Sequence, residues 1–225
     1  MHSKEATKKN EKIRPATFSP YFHGGVASVE ELQELVDSMR KSGAKKAKLT
    51  GEIVFVWEGP DLPHGVRENS RWIPNNFKAA NVRPVRICSA QTFCQRFQQP
   101  VLDLAKEIDT RFRGIALPMK MVIGIAGCQR SCSEPATKDI GIIGHPKGYR
   151  MLAGGAAGLE PRIASPLGLA RTKKDVLEVV ARIIALLHEE DKAVRIGKMI
   201  EKIGVDEFKR RARIGEFLTE GNNNE

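Results

Sequence analysis

Aromatic residues are scarce: two Trp, two Tyr and nine Phe make up 6% of the 225 residues. No stacking motif of the RNA-binding type is built from them, which argues against nucleic acid as a partner. Long apolar runs are absent. No stretch reaches the roughly 18 residues a membrane-spanning helix needs, so neither a transmembrane helix nor a membrane partner is expected. The first fifteen residues, Met1 to Pro15, are polar and basic with no apolar centre, unlike a secretory signal. The expected location is therefore cytoplasmic, where thiols stay reduced. Only four cysteines occur, and in that compartment they read as metal ligands before disulfides.

Acidic residues are also in deficit. Thirty-seven Lys and Arg against 27 Asp and Glu leave a net charge of +10, which favours anionic partners. Nucleic acid, a membrane surface, and an anionic small molecule or cofactor compete for that role. The basic residues cluster only in Lys4 to Arg14 and Lys209 to Arg213, near the two ends, as solvated faces or tails do. The 41% hydrophobic content suffices for one substantial domain, with or without a small subdomain.

Residues 1–18 read as a disordered basic tail and 219–225 as a frayed end. Ser28 and Glu31 form a capping box, and Leu32, Leu35, Val36 and Met39 follow at helical spacing until Gly43. Ala47, Leu49, Ile53, Phe55 and Trp57 alternate as in a half-buried strand. Residues 58–84, rich in Pro, Gly, Asn and Arg, read as a long loop of the kind that often carries function. Pro100 to Phe112 reads as a helix with proline in its first turn. Met119 to Ala126, Asp139 to Ile143 and Tyr149 to Leu152 read as strands. Thr172 and Asp175 resemble a second capping box, opening a helix with Val176, Val179, Val180, Ile183, Ile184 and Leu187 on one side. One or two short charged helices extend to Leu218. The alternation predicts an α+β fold, a mixed sheet with flanking helices.

The cysteines are spaced Cys88-x5-Cys94 and, 33 residues later, Cys128-x3-Cys132. Thiolates suit iron–sulfur clusters or zinc. Structural zinc takes pairs two to four residues apart, which the x5 gap fits poorly. Each pair sits between an apolar strand and a helix or a glycine-rich loop, and Gly127 lets the backbone come close to a bulky group. On spacing alone a cluster, a zinc ion and unligated buried thiols all remain open.

The surroundings add a resemblance. Leu117-Pro118-Met119-Lys120, an apolar strand and Gly127-Cys128-x3-Cys132 resemble the signature of the sulfite and nitrite reductase family, and Cys88-x5-Cys94 resembles its other cysteine pair. Asp139 to Gly144 is similar to the family's next strand. Gly154-Gly155-Ala-Ala-Gly158 with Pro161 and Arg162 is similar to its Gly-Gly-x-x-Gly segment. Gly24-Gly25, the helix after them, and Lys48-Leu49-Thr50 resemble its small ferredoxin-like module. The resemblance covers residues 22–187. It implies a ferredoxin-like module over 19–80 and a siroheme and 4Fe-4S module over 81–218.

The resemblance implies a 4Fe-4S cluster on Cys88, Cys94, Cys128 and Cys132, with Cys132 also bridging to siroheme. Siroheme's eight carboxylates call for cations: Arg83, Arg86, Lys120, Arg130, Arg150 and Arg162 are the candidates, with Gly154 and Gly155 beside them. The implied reaction is six-electron reduction of sulfite to sulfide or of nitrite to ammonia. Arg83 and Lys120, then Arg86 and Lys48, are the candidate catalytic cations that would neutralise the oxyanion. His145 is a candidate proton donor or an ordinary surface residue. No GxGxxG fingerprint follows a strand, so electrons would come from a separate protein, an acidic donor such as ferredoxin.

Three departures from the family pattern stand out. Val122 and Glu52 occupy positions where a basic residue is frequent, and Ala90 stands where glycine is. Val122 and Glu52 favour the alternative of a non-catalytic 4Fe-4S electron carrier or siroheme-handling protein. The chain also has one half of the larger members' sequence. A two-fold homodimer would supply the other half, against a monomeric low-molecular-weight reductase.

Overall fold

A computed structural model describes residues 17–20, 22–41, 43, 46–49, 55–58, 72–74, 80–190 and 193–220. The side chains of the strands below residue 75 lie outside this description, as do Lys4 to Arg14, Thr50 and Glu52. The chain divides into two compact units, one of residues 1–21 and 28–76, the other of 22–27 and 77–225.

In the first unit, β1 (Thr17–Pro20), β2 (Lys46–Leu49), β3 (Phe55–Glu58) and β4 (Trp72–Pro74) form an antiparallel sheet in the order β2-β3-β1-β4. Helix α1 (Val29–Lys41) opens on the expected capping box: the Glu31 amide donates to Ser28 Oγ and the Ser28 amide to the Glu31 carboxylate. The single alternating strand expected over 47–57 is instead a pair, with Leu49 opposite Phe55 and Ala47 opposite Trp57. A connection of five residues keeps the odd-numbered parity, so two strands mimic one. Thr17 and Phe18, expected in the tail, begin β1, and Trp72–Pro74, expected in a loop, pairs with it.

The second unit is a five-stranded mixed sheet, ordered β5 (Arg86–Ile87), β6 (Ile123–Ala126), β7 (Ile140–His145), β8 (Gly148–Ala153), β9 (Ser165–Ala170). The first three strands run parallel and the last two antiparallel. Strand β6 is shorter than the expected 119–126. Strands β5 and β9 gave no sequence signal: β5 is two residues long, and β9 holds Pro166 and Gly168, which only an edge strand tolerates.

One face of this sheet carries the core. Ile123, Ile125, Ile140, Ile142 and Met151 are fully buried against α3 (Leu102–Phe112) and α4 (Lys173–Glu189), which offer Leu104, Ile108, Val176, Val180 and Ile183. Burying such side chains contributes about 1.5–3 kcal/mol each, before conformational entropy is subtracted. The Thr172–Asp175 capping box forms in both directions. Helices α5 (Ile196–Ile203) and α6 (Val205–Ala212) close the C-terminal part, α6 burying Phe208 completely. A small cluster of Ile143, Leu152 and Ala164 covers the other face.

Candidate functional site

Parallel pairing brings the cysteines together. Ile87 of β5 lies opposite Ile125 of β6, so both strands end at the same edge. Cys88 follows β5 directly. Cys128 follows Ala126 by one intervening glycine. Cys94 closes a one-turn helix, α2 (Ala90–Phe93), and Cys132 lies four residues beyond Cys128. All four line one open cavity with Ala126, Gly127, Phe97 and Arg130. The carboxyl ends of parallel strands are where open α/β sheets commonly hold ligands.

The four thiols are not equivalent. The amides of Gly127 and Ala90 donate to Cys88 Sγ at 3.3 and 3.5 Å, whereas Cys132 is exposed. Among the described residues, no three His, Cys, Asp or Glu side chains gather closely enough to share one metal ion. The thiols are spread round a cavity instead.

The cavity rests on a tightly packed floor. The Gly127 carbonyl accepts from the amides of Gln98 and Gln99 at 2.7 and 3.0 Å. Gly144, on β7, lies so close that a Cβ there would stand 2.3 Å from that carbonyl oxygen. Gln99 Nε2 donates to the His145 carbonyl at 2.8 Å, and His145 Nδ1 accepts from the Lys147 amide, so this imidazole closes its own hairpin turn. Gln91, between the first two cysteines, accepts from the Val101 and Leu102 amides at 3.1 and 3.3 Å. It thus caps α3, which begins two residues later than the sequence suggested because Pro100 and Val101 lie ahead of the first turn. Of four non-glycine residues with positive φ among the described residues, Ala90, Ser131 and Glu134 lie in or just after the cysteine loops. Such strain concentrates at functional sites. Ala90 has φ 53°, which explains why glycine is the easier residue there.

The candidate cations divide along the strand direction. Arg130 lines the cavity and Arg86, on β5, stands two residues before Cys88. Lys120 stands at the opposite end of β6, up to about 26 Å along an extended chain from Cys128. There it faces the buried Asp139, which accepts from the Val122 amide at 2.9 Å and pairs with Arg195 at 2.9 Å. Burial pushes the Asp139 carboxyl up, with Arg195 and Lys120 among the groups that oppose the shift. Arg83 is buried at this same end, its amide bonded to the Met121 carbonyl. Gly154 bonds the Asp139 carbonyl through its amide, and Gly155 packs on Ala136 and Lys138. Arg162 is paired with Glu160 at 3.0 Å and with Glu201. Arg150 is half-buried on β8 opposite Ile143. Lys48 lies on β2 of the other unit, its side chain outside the described residues.

Sequence reasoning missed Gln91, Gln99 and Gly144 as supports of the cavity. Nothing in a single polar side chain within a short loop announces a cap for a helix ten residues away.

The model of the family "Nitrite and sulphite reductase 4Fe-4S domain" matches residues 78–216. Among curated relatives, an NAD(P)H nitrite reductase of Bacillus subtilis is 25% identical over 83% of this chain and 24% of its own length. The NADH nitrite reductase large subunit of Escherichia coli is 31% identical over 72% of this chain and 20% of its own. An assimilatory-type sulfite reductase of Nitratidesulfovibrio vulgaris is 27% identical over 56% and 58%. The chain thus spans a quarter or less of these nitrite reductases and under two thirds of this sulfite reductase. Two solved structures share the fold. The Mycobacterium tuberculosis NirA protein has TM-score 0.74, at 18% identity, over 91% of this chain and 41% of that one. Dissimilatory sulfite reductase I has TM-score 0.72, at 14% identity, over 92% and 71%. No helix among the described residues is long and apolar enough to cross a membrane.

Proposed function

The chain belongs to the nitrite and sulphite reductase 4Fe-4S domain family, and from that premise we propose that it is a siroheme-dependent oxidoreductase module that reduces sulfite or nitrite. The observation that carries this reading is the cavity rimmed by Cys88, Cys94, Cys128 and Cys132. A single zinc needs four ligands converging within about 2.0–2.3 Å of one point. Thiols spread round the rim of a cavity suit a polynuclear cluster, whose irons each take one thiolate. When bound, a 4Fe-4S cluster supplies one-electron steps to a neighbouring redox centre.

The chain's own residues then have distinct tasks. Cys88, fixed by two amide donors, is the rigid anchor. The exposed Cys132 faces solvent, on the side from which siroheme would approach. Arg130 offers that approach a cation at the cavity wall. Sulfite reduction to sulfide consumes six electrons and seven protons and releases three waters, so charge must be neutralised and protons supplied throughout. Exposed Phe93 and Phe97 near the cavity mouth, on a chain of net charge +10, fit an acidic electron-donor protein such as ferredoxin.

Lys120 and Arg83 stand at the far end of the sheet from this cavity. That placement favours a site completed by a second copy of the chain, Lys120 of one protomer serving the cavity of the other. It equally favours the second reading, an electron carrier without an oxyanion pocket of its own. The deciding experiment counts iron, labile sulfide and extracted tetrapyrrole per chain in anaerobically purified protein, followed by assays with sulfite and nitrite. Four irons with a fifth in a tetrapyrrole, and turnover, are expected. Four irons without tetrapyrrole, from cells that make siroheme, would leave the carrier. A mixture of Lys120→Ala and Cys132→Ser proteins that never regains activity would refute the shared site.

A further inference from the structure

We infer that Gln91 is a positioning residue that holds the turn aiming the Ala90 amide at the Cys88 sulfur, and that it thereby sets how firmly this thiolate grips a cluster. The inference rests on the reading above that the four thiols bind one.

The observations form a chain of contacts. Ala90 sits at φ 53°, a left-handed conformation that a side chain disfavours. Such a conformation persists only where its surroundings over-determine it. Its amide donates to Cys88 Sγ at 3.5 Å, and its carbonyl accepts from the Cys94 amide at 3.0 Å. The second is the ordinary helical bond of α2, so it is the aim of the Ala90 amide at the sulfur that depends on the left-handed turn. Gln91 is the next residue. Its amide oxygen takes the Val101 and Leu102 amides at the start of α3, at 3.1 and 3.3 Å. α3 is an 11-residue helix packed into the core through Leu104, Ala105 and Ile108. Gln91 therefore ties the turn between the first two cysteines to the start of a core helix. Without it, the backbone at Ala90 is free to relax to negative φ, turning its N–H away from the sulfur.

An N–H···S bond stabilises the more negative, reduced state of a cluster and so raises its potential. Losing it moves the potential down and loosens the ligand.

The test compares wild-type protein with Gln91→Ala, Gln91→Glu and the double variant Ala90→Gly/Gln91→Ala, with Ala90→Gly alone as reference. Iron and labile sulfide per chain, the rate of iron loss to a chelator and the midpoint potential are read for each. Gln91→Ala is expected to lose iron roughly tenfold faster, the effect typical of supporting partners around a metal, and to show a lower potential. Gln91→Glu keeps the acceptor and should retain iron like wild type. Glycine at 90 removes the strain that Gln91 restrains, so the double variant should recover retention toward that of Ala90→Gly. If Gln91→Ala does not fold, Gln91→Met keeps the length without the acceptor and reads the same quantities. A wild-type protein that holds iron beside a Gln91→Ala variant of unchanged loss rate and potential overturns the inference alone. Failure of both Gln91→Glu and the glycine to rescue overturns it too. A wild-type protein that takes up no iron overturns the cluster reading with it.

Discussion

Gly144→Ala is a sharp test of the packing beneath the cavity, because it alters neither a cysteine nor a residue of the cavity lining. An added Cβ would stand 2.3 Å from the Gly127 carbonyl oxygen, where ordinary contact begins at 3.4 Å. The carbonyl must retreat by about 1 Å, since its neighbour is backbone and cannot rotate away. That displacement stretches its bonds from the Gln98 and Gln99 amides, now 2.7 and 3.0 Å, past useful length. Gly127 and Gly144 are both buried, so the carbonyl left without its partners costs about 1–3 kcal/mol. Overpacking adds about 1–3 kcal/mol. The expected destabilisation is about 2–6 kcal/mol, against a typical total of 5–15. Urea unfolding of the metal-free, reduced protein measures it as a lower midpoint at unchanged slope. Gly158→Ala is the control, since an added Cβ there meets nothing within 4 Å and its φ is not in the left-handed range. That variant should stay within about 0.5 kcal/mol of wild type. A Gly144→Ala midpoint equal to that of Gly158→Ala would refute the argument.

Phe208→Ala, at a fully buried position on α6, should cost about 3–5 kcal/mol by the same unfolding assay. Asp109 is buried in α3 and accepts from the Gly24 and Val85 amides at 3.0 and 2.9 Å. Burial pushes its carboxyl above the ordinary 3.8, against the pull of those amides. The folded state therefore holds the proton more tightly than the unfolded chain, and Asp109's contribution to stability declines as pH rises from 3.8 through the raised value. Asp109→Asn should thus be less stable than wild type by a margin that narrows as pH rises across that window. A margin constant with pH would count against it. Cys128→Ser should abolish stable iron binding in reconstitution, with the far-ultraviolet dichroism of the apo-protein unchanged. Retention of a full iron complement would remove Cys128 from the ligand set.

Sequence legibility followed the range of the interactions. Both capping boxes and the long helix of Val176 to Leu187 were readable because their partners lie three or four residues apart. The cysteine pairs were readable as pairs, and the expected α+β mixed sheet with flanking helices is present. The hairpin of β2 and β3 was hidden because Leu49 and Phe55 share parity across their connection. Strand β9 was masked by Pro166 and Gly168, tolerable only because β9 is an edge. Within the site, the grouping of the four thiols was legible, and the strand expected over 119–126 already set Lys120 apart from Cys128. Lys120 and Cys128 share one signature, and the strand between them holds them at its two ends. Gln91 and Gly144 were silent because their partners come from other elements.

The adjacency of β5 and β6 as parallel strands has a consequence for the order in which the protein is made. No tight turn can join them, so the chain passes through α3 before returning with the second cysteine pair. At a synthesis rate of about 5–20 residues per second, the 40 residues from Cys88 to Cys128 take roughly 2–8 s. Throughout that interval the nascent chain carries only Cys88 and Cys94 of the four cysteines. On the proposed cluster reading, the complete site exists only after the crossover has closed and set the two strand ends side by side.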